Sequence, residues 1–316
     1  MSGFASVAVV GAGTMGHALA LVHALAGAEV RLTDDDPAAL ARAPALVASA
    51  LDGLIEAGAV GEAMRDVVPA RIALVADLDP AVAGAELIVE AILEDPEAKR
   101  RLFAELDDRA APAAVIASNT SYLDVFPLVP AGRLERTLVA HWYTPPYVVD
   151  LVDIVGGPAT DPAVIERVRA YYAALGKRPV VHARMIPGYV ANRLQQAMTR
   201  EILRMLDEGW TTPRAIDDSI RHGLALRLAL QGQLEKADYT GLELMRRALA
   251  NGTYAPPPDT RRSPTVDALV AAGRTGVMAG AGFHDYGGAD PAARLRARDR
   301  RLLALKAAWA PILAEE

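Results

Sequence analysis

The chain has 316 residues, of which 52% are hydrophobic and 23% charged; that composition can bury a large core and excludes a disordered or low-complexity protein. The net charge of −6 and a pI near 5.6 argue against nucleic acid and anionic membrane as partners. There is no cysteine, so disulfide frameworks and thiol chemistry are excluded.

The first apolar run, Val7–Val10, enters the turn Gly11-Ala-Gly13-Thr14-Met15-Gly16. A helix-type run to Leu25 follows, then a second strand-type run, Val30–Thr33, and an acid, Asp34, 18 positions after Gly16. Strand, glycine turn, helix, strand and acid in this order form a dinucleotide-binding fingerprint. Gly11 permits the tight turn, Gly13 lets the backbone approach a pyrophosphate, and Gly16 allows the helix to pack on the strand. The helix N-terminus presents free N–H groups to the phosphates. Asp34 accepts from the ribose hydroxyls, and with Asp35 and Asp36 beside it repels a 2′-phosphate, so the expected cofactor is NAD rather than NADP. Asp35 and Asp36 also read as the cap of the next helix, with Pro37 in its first turn.

Ala38–Arg65 is helical in pattern and broken at Gly58 and Gly61, so it reads as a helical pair inserted before the next strand. Strand-type runs resume at Leu87–Val89, Ala114–Ala117, Leu138–Ala140 and Val180–Val181. Their alternation with helical stretches predicts an α/β Rossmann domain with a mostly parallel, doubly wound sheet. From about Ile186 the strands stop. Tyr189–Glu208, Pro213–His222, Leu234–Asn251, Thr265–Ala272 and Pro291–Ala310 read as helices, with a proline-rich loop over Asn251–Pro264. The expected domains are therefore 1–185, binding NAD, and 186–316, all-α. No apolar run reaches the roughly 18 residues of a membrane span. The first strand begins too early to leave room for a signal peptide, which points to the cytoplasm.

The chain resembles the L-3-hydroxyacyl-CoA dehydrogenase family over nearly its whole length. The resemblance rests on ordered blocks: Gly11-Ala-Gly-Thr-Met-Gly-His17, Ile88-Val-Glu-Ala-Ile-Leu-Glu94-Asp-Pro-Glu-Ala-Lys99, Ser118-Asn-Thr-Ser121, His141-Trp-Tyr-Thr-Pro145, Pro187-Gly-Tyr-Val-Ala-Asn192 and Gly280-Ala-Gly-Phe-His-Asp-Tyr286. It implies NAD-dependent oxidation of a 3-hydroxyacyl substrate, a place in fatty acid metabolism, and a homodimer formed by the helical domain.

By the same resemblance His141 is the general base, a role that suits an imidazole because its pKa starts near neutrality. The family's glutamate partner, twelve positions on, is replaced by Asp153, one methylene shorter. A carboxylate there fixes the tautomer and supports the imidazolium. Three outcomes are open: an adjusted backbone, an intervening water or a weakened dyad. Ser121 and Asn192 match groups that hydrogen-bond the substrate. Thr144 replaces the family's asparagine at a substrate-binding position. Glu94, Lys99, Ser118 and Asn119 are implied to sit by the cofactor, with Thr14 and Met15 of the turn.

Each assignment has a structural alternative: a satisfied core histidine for His141, an edge-strand acid for Asp153, a turn cap for Ser121, a structural helix amide for Asn192 and a surface ion pair for Glu94 and Lys99. Two features lead away from a CoA thioester. The inserted helical pair has no lysine, and Arg42, Arg65 and Arg71 are its basic residues. The segment Gly223–Glu235, with Arg227, resembles the branch containing lambda-crystallin (L-gulonate 3-dehydrogenase) and L-carnitine dehydrogenase. Arg227 there would clamp a free carboxylate; the alternative is a helix-end surface arginine. The functional alternatives are thus a free 3-hydroxy acid as the substrate and, in another class, a non-catalytic NAD-binding protein. A regulatory NAD sensor has no supporting feature. The expected partners are a small-molecule substrate and a second copy of the chain, and no metal is implied.

Overall fold

The computed structural model describes residues 3–252, 254–288 and 290–313. In chain order the elements are β1 (Ser6–Val10), α1 (Gly16–Leu25), β2 (Glu29–Thr33), α2 (Pro37–Glu56), α3 (Met64–Ala70), β3 (Ile72–Leu74), α4 (Leu78–Val82), β4 (Leu87–Glu90), α5 (Pro96–Arg109), β5 (Val115–Ser118), β6 (Thr137–Trp142), β7 (Leu151–Gly156), α6 (Pro162–Ala174) and β8 (Arg178–His182). The helices α7 (Tyr189–Asp207), α8 (Pro213–Ser219), α9 (Leu226–Thr240), α10 (Leu242–Ala250), α11 (Pro264–Ala271) and α12 (Pro291–Leu313) follow. Contacts divide the chain into two compact units. One holds the residues up to Val190 together with Asp299–Leu305, and the other holds Ala191–Arg298 and the residues from Lys306 onward. Asp299–Leu305 groups with the first unit, whereas the sequence reading assigns it to the second domain.

In the first unit the strands form one sheet in the order β3-β2-β1-β4-β5-β6-β7-β8. All neighbours pair in parallel except β6 and β7, which are antiparallel. The expected Rossmann architecture is present, with a reversal at its far side. Strand residues alternate between two cores: Val7 and Val9 of β1 and Leu87 and Val89 of β4 pack on one face, while Ala8, Val10 and Ile88 pack on the other. That burial on both faces is why these strands read as continuous apolar runs. Helices start where Asp precedes Pro: Asp36, Asp95 and Asp161 each accept from a backbone N–H of the first turn, with the proline at the start of the helix. Such a proline sacrifices no hydrogen bond.

Several sequence expectations need correction. β3 and β7 were not anticipated, and the run expected at Leu138–Ala140 extends to Trp142, placing His141 inside β6. β7 carries an acid in mid-strand and β3 is only three residues long, so neither gives a clean apolar run. The second helix of the inserted pair lies beyond Gly61 and continues to Ala70. The helix expected at Leu234–Asn251 is two helices, divided at Gly241, whose φ is +88°. α8 stops at Ser219 and continues as a π-helical turn over Ile220–Ala225. By length and composition α2 is long and apolar enough to cross a membrane. In this unit, though, its residues Ala43, Val47, Leu51 and Leu54 lie in the core.

His23 of α1 shows what this core imposes. It is buried beside Trp142, its ring stacked on Tyr171 and its Nδ1 2.9 Å from the Tyr171 hydroxyl. Burial lowers its pKa to about 3. The unfolded chain binds a proton at this residue below pH 6.5 and the folded chain does not until about 3, so stability falls as pH drops through that window. From pH 6.5 to 5 the loss from His23 alone is roughly 2 kcal/mol. Urea unfolding at pH 7.5 and 5 is expected to show this acid loss in the wild-type protein and a smaller one in His23→Gln. Equal losses in the two proteins would contradict the assignment.

Candidate active site

The sheet order reverses between β1 and β4, and the loops leaving those strands form the crevice where an open α/β sheet binds its ligand. The local sequence is forced by close approach. Gly11 has φ +103°, and a Cβ there would lie 2.5 Å from the Ala91 carbonyl oxygen at the end of β4. A Cβ at Gly16 would lie 1.6 Å from the Gly11 oxygen, whereas one at Gly13 would meet nothing within 4 Å. Gly11 and Gly16 therefore close the turn, and Gly13, exposed beside Thr14 at the α1 N-terminus, leaves its outer side open. Asp34 takes the Ala12 N–H at 2.5 Å and the Asp36 N–H at 2.8 Å, which fixes the carboxylate at the turn. An open backbone cradle, a helix N-terminus and an anchored carboxylate fit a dinucleotide.

Behind this crevice lies a buried ionic cluster centred on Glu90, a residue that the sequence reading did not single out. Glu90, at the end of β4, accepts from Lys99 Nζ at 2.6 Å, Ser118 Oγ at 2.5 Å and the Ile92 N–H at 3.0 Å. Lys99 is 1% exposed and also lies 3.5 Å from Glu94, so it is not half of a surface ion pair. Glu94 gathers the loop after β5, accepting from Thr120 Oγ1 and from the Ser121 and Tyr122 N–H groups, each at 2.8 Å. Burial works to raise its pKa; the bonds from Tyr122, Thr120 and Ser121, with the Lys99 charge, outweigh it and hold the carboxyl below its ordinary range. The Asn119 side chain accepts from the Trp142 N–H at 2.9 Å, joining this loop to β6.

The loop carries Ser121 to His141. Ser121 Oγ lies 3.3 Å from His141 Nε2, so its hydroxyl is directed at the imidazole rather than capping a turn. His141 is 4% exposed and faces Asp153 directly across the β6–β7 pair. Asp153 is 1% exposed on an interior strand, which overturns the edge-strand alternative. Of the three open outcomes, neither a direct hydrogen bond nor a bridging water fits: His141 Nδ1 stands 3.6 Å from Asp153 Oδ2. That is ion-pair distance, beyond a hydrogen bond and too short to admit an intervening water. Nδ1 has no hydrogen-bond partner among the described residues. The Asp153 carboxylate instead accepts from Tyr143 OH at 2.6 Å and lies 2.7 Å from His182 Nε2. Burial works to raise its pKa, and the contacts with His141, His182 and Tyr143 overcome this, holding it below the ordinary range.

Tyr189 closes the group. Its ring stacks on His141 at 4.7 Å, and its hydroxyl donates to the Thr120 carbonyl at 2.7 Å. It has φ +48°, a conformation that costs a non-glycine residue on the order of 1–3 kcal/mol and persists only when its surroundings over-determine it.

Thr144 is exposed, with Oγ1 3.1 Å from Met15 Sδ. In the second unit, Asn192 is half-buried near the start of α7. Arg227 is exposed, and its Nε donates to the Gly223 carbonyl at 2.9 Å. The residues that sequence reasoning missed are Glu90, Tyr143, His182 and Tyr189. The alternation of β6, continued one residue past Trp142, carried a signal for Tyr143, two positions from His141 and with its ring 4.6 Å from the imidazole.

Comparison with known proteins identifies the family. The family model for the 3-hydroxyacyl-CoA dehydrogenase NAD binding domain matches residues 6–185, and that for the 3-hydroxyacyl-CoA dehydrogenase C-terminal domain matches 188–286. An L-carnitine dehydrogenase of Streptomyces griseus is 36% identical over 72% of this chain and 67% of its own length. A 3-hydroxybutyryl-CoA dehydrogenase of Bradyrhizobium diazoefficiens is 33% identical over 90% of this chain and 96% of its own. Among solved structures, the 5-formyl-3-hydroxy-2-methylpyridine 4-carboxylic acid 5-dehydrogenase, an NAD+-dependent dismutase, superposes with a TM-score of 0.85 at 26% identity, covering 97% of this chain and 99% of its own.

The geometry makes Asp153 the sole carboxylate within ion-pair distance of His141 among the described residues. Asp153→Asn is expected to lower kcat roughly 10–100-fold, the worth of one charged contact of 1.5–3 kcal/mol, with NAD affinity retained. Steady-state kinetics with cofactor titration checks this; an unchanged kcat would remove Asp153 from the dyad.

Proposed function

The chain belongs to the 3-hydroxyacyl-CoA dehydrogenase family, and from that premise we propose that it oxidises the 3-hydroxy group of a free carboxylic acid, with His141 as general base. It is an NAD-dependent dehydrogenase. The observation that carries the proposal is the placement of Ser121 Oγ 3.3 Å from His141 Nε2, with Asp153 behind the other ring nitrogen. With the proton on Nδ1, as the neighbouring carboxylate favours, Nε2 is an acceptor. A substrate hydroxyl bridging Ser121 Oγ and Nε2 transfers its proton to Nε2, and Asp153 stabilises the imidazolium that forms. Bound NAD supplies the acceptor for the hydride that leaves the hydroxyl carbon. The glycine turn with Thr14 and Met15, together with Asp34, holds the cofactor on this reading. Glu94, Lys99, Ser118 and Asn119 fix the loop beside it, and Thr144, Asn192 and Arg227 are assigned to the substrate.

The choice of a free acid follows from the arginines of the inserted helices. Arg65 is bound to Asp52 and to Glu62, Arg71 donates to the Ala24 carbonyl, and Arg42 lies 3.9 Å from Asp36. Each cation therefore already has a partner, which disfavours the phosphates of CoA. The thioester is retained as a second reading because the near full-length relative is named a 3-hydroxybutyryl-CoA dehydrogenase.

The second unit supports assembly as a homodimer through the helical domain. Leu226, Leu234 and Tyr239 of α9 and Leu242 and Leu249 of α10 are exposed, apolar side chains that a dimer interface would cover.

In a panel of L-carnitine, L-gulonate, L-3-hydroxybutyrate and its CoA thioester, followed by NADH absorbance, at least one free acid is expected to give the larger kcat/KM. Turnover of the thioester alone would contradict the proposal. His141→Ala is expected to reduce turnover by roughly 10²–10⁴-fold, and retained activity would place the proton elsewhere. Light scattering is expected to report twice the chain mass; a monomer at micromolar concentration would exclude the dimer.

A further inference from the structure

Asp153 stands between two strands that both carry donors, and it is closer to the second pair than to the base. Tyr143 OH approaches Oδ2 at 2.6 Å and His182 Nε2 approaches Oδ1 at 2.7 Å, while His141 Nδ1 remains 3.6 Å from Oδ2. The arrangement follows from strand geometry. Tyr143, two residues after His141, follows directly on the last residue of β6, and His182 is two residues after Val180, the β8 partner of Asp153. Period-two alternation therefore puts all four polar groups on one face of the sheet.

We propose that Tyr143 and His182 are positioning residues of the dyad, which share the Asp153 carboxylate with His141 and so set how much of its negative charge reaches the catalytic imidazole. The inference rests on the reading of His141 as base and deepens it. The two short bonds have opposed consequences. They supply the donors that a buried carboxylate needs to stay ionised. They also draw its charge toward Oδ1 and the phenol, away from Nδ1, so the imidazole gains less from its counterion than in an undivided pair. A second positive charge on the same carboxylate opposes formation of the His141 imidazolium, so His182 acts as a neutral Nε2–H donor during proton transfer. The titratable groups facing the network are His141 from β6, Tyr143 just beyond its end, His182 from β8 and Tyr189 from the start of α7. Glu94, with Lys99 and Glu90 behind it, faces it through the Thr120 contact of Tyr189.

The test is an NMR titration of the His141 ring in the full-length protein, paired with the pH profile of kcat/KM for hydroxyl oxidation. Tyr143→Phe removes one donor. His182→Phe removes the other while keeping a ring against Tyr189. Each is expected to raise the His141 midpoint by roughly 0.5–1 pH unit, the shift equivalent to part of one charged hydrogen bond. The acid limb of kcat/KM is expected to rise with it, because the protonated imidazole cannot act as base. His182→Gln restores a neutral N–H donor and is expected to bring the midpoint back toward the wild-type value, a rescue that a merely structural role would not produce. A His141 midpoint unmoved or lowered in both phenylalanine variants overturns the proposal. A midpoint that rises without the acid limb supports the shared carboxylate and removes His141 as base.

Discussion

The organising constraint is the burial of one carboxylate in the middle of a sheet. Asp153 sits on an interior strand with 1% of its surface exposed, and an ionised group there is costly unless it is paired and hydrogen-bonded. The sheet meets that requirement by reversing direction at β7. Antiparallel pairing sets His141 opposite Asp153, and the parallel β8 returns to bring His182 from the other side. The reversal thus places a histidine beside an anion without either group leaving a rigid strand.

The other half of the site depends on the same kind of enclosure. At the switch point β1 and β4 approach so closely that a side chain at Gly11 would collide with the Ala91 carbonyl. Immediately beneath, Glu90 neutralises Lys99 and takes the Ser118 hydroxyl, and Glu94 collects the N–H groups of the next loop. Ser121 is held near His141 because that loop is tied down by carboxylates on one side and by Tyr189 on the other. The loop beside the candidate cofactor crevice and the His141–Asp153 pair are therefore joined by one polar network, in which each charged member has a partner.

The sequence was legible where its period matched its environment. The glycine turn, Asp34 and the apolar strands that pack on both faces declare themselves because close approach and double-sided burial leave few alternatives. His141 and Asp153 were legible as residue types, through the blocks around them, but their geometry was not. β7 carries a buried acid in mid-strand, so its register against β6 was not legible, nor was the approach of Tyr143 and His182 to Asp153. Glu90 was hidden by its position at the end of a core strand. Tyr189 was hidden because its contribution is a ring stacked from a left-handed backbone conformation, which no spacing announces. Arg227 is exposed and its Nε donates to the Gly223 carbonyl of the preceding π-helical turn, so its assignment to a substrate carboxylate rests on its sequence setting.

The central claim is that proton transfer runs between a substrate hydroxyl and His141 under the control of Asp153. A crystal structure with NAD and a hydroxy acid tests it most directly. The account predicts the reacting hydroxyl oxygen within about 2.6–3.2 Å of His141 Nε2, within hydrogen-bond reach of Ser121 Oγ, and with Asp153 still bound by Tyr143 and His182. A productively bound substrate whose hydroxyl contacts another proton acceptor and lies beyond water-mediated reach of His141 would contradict it.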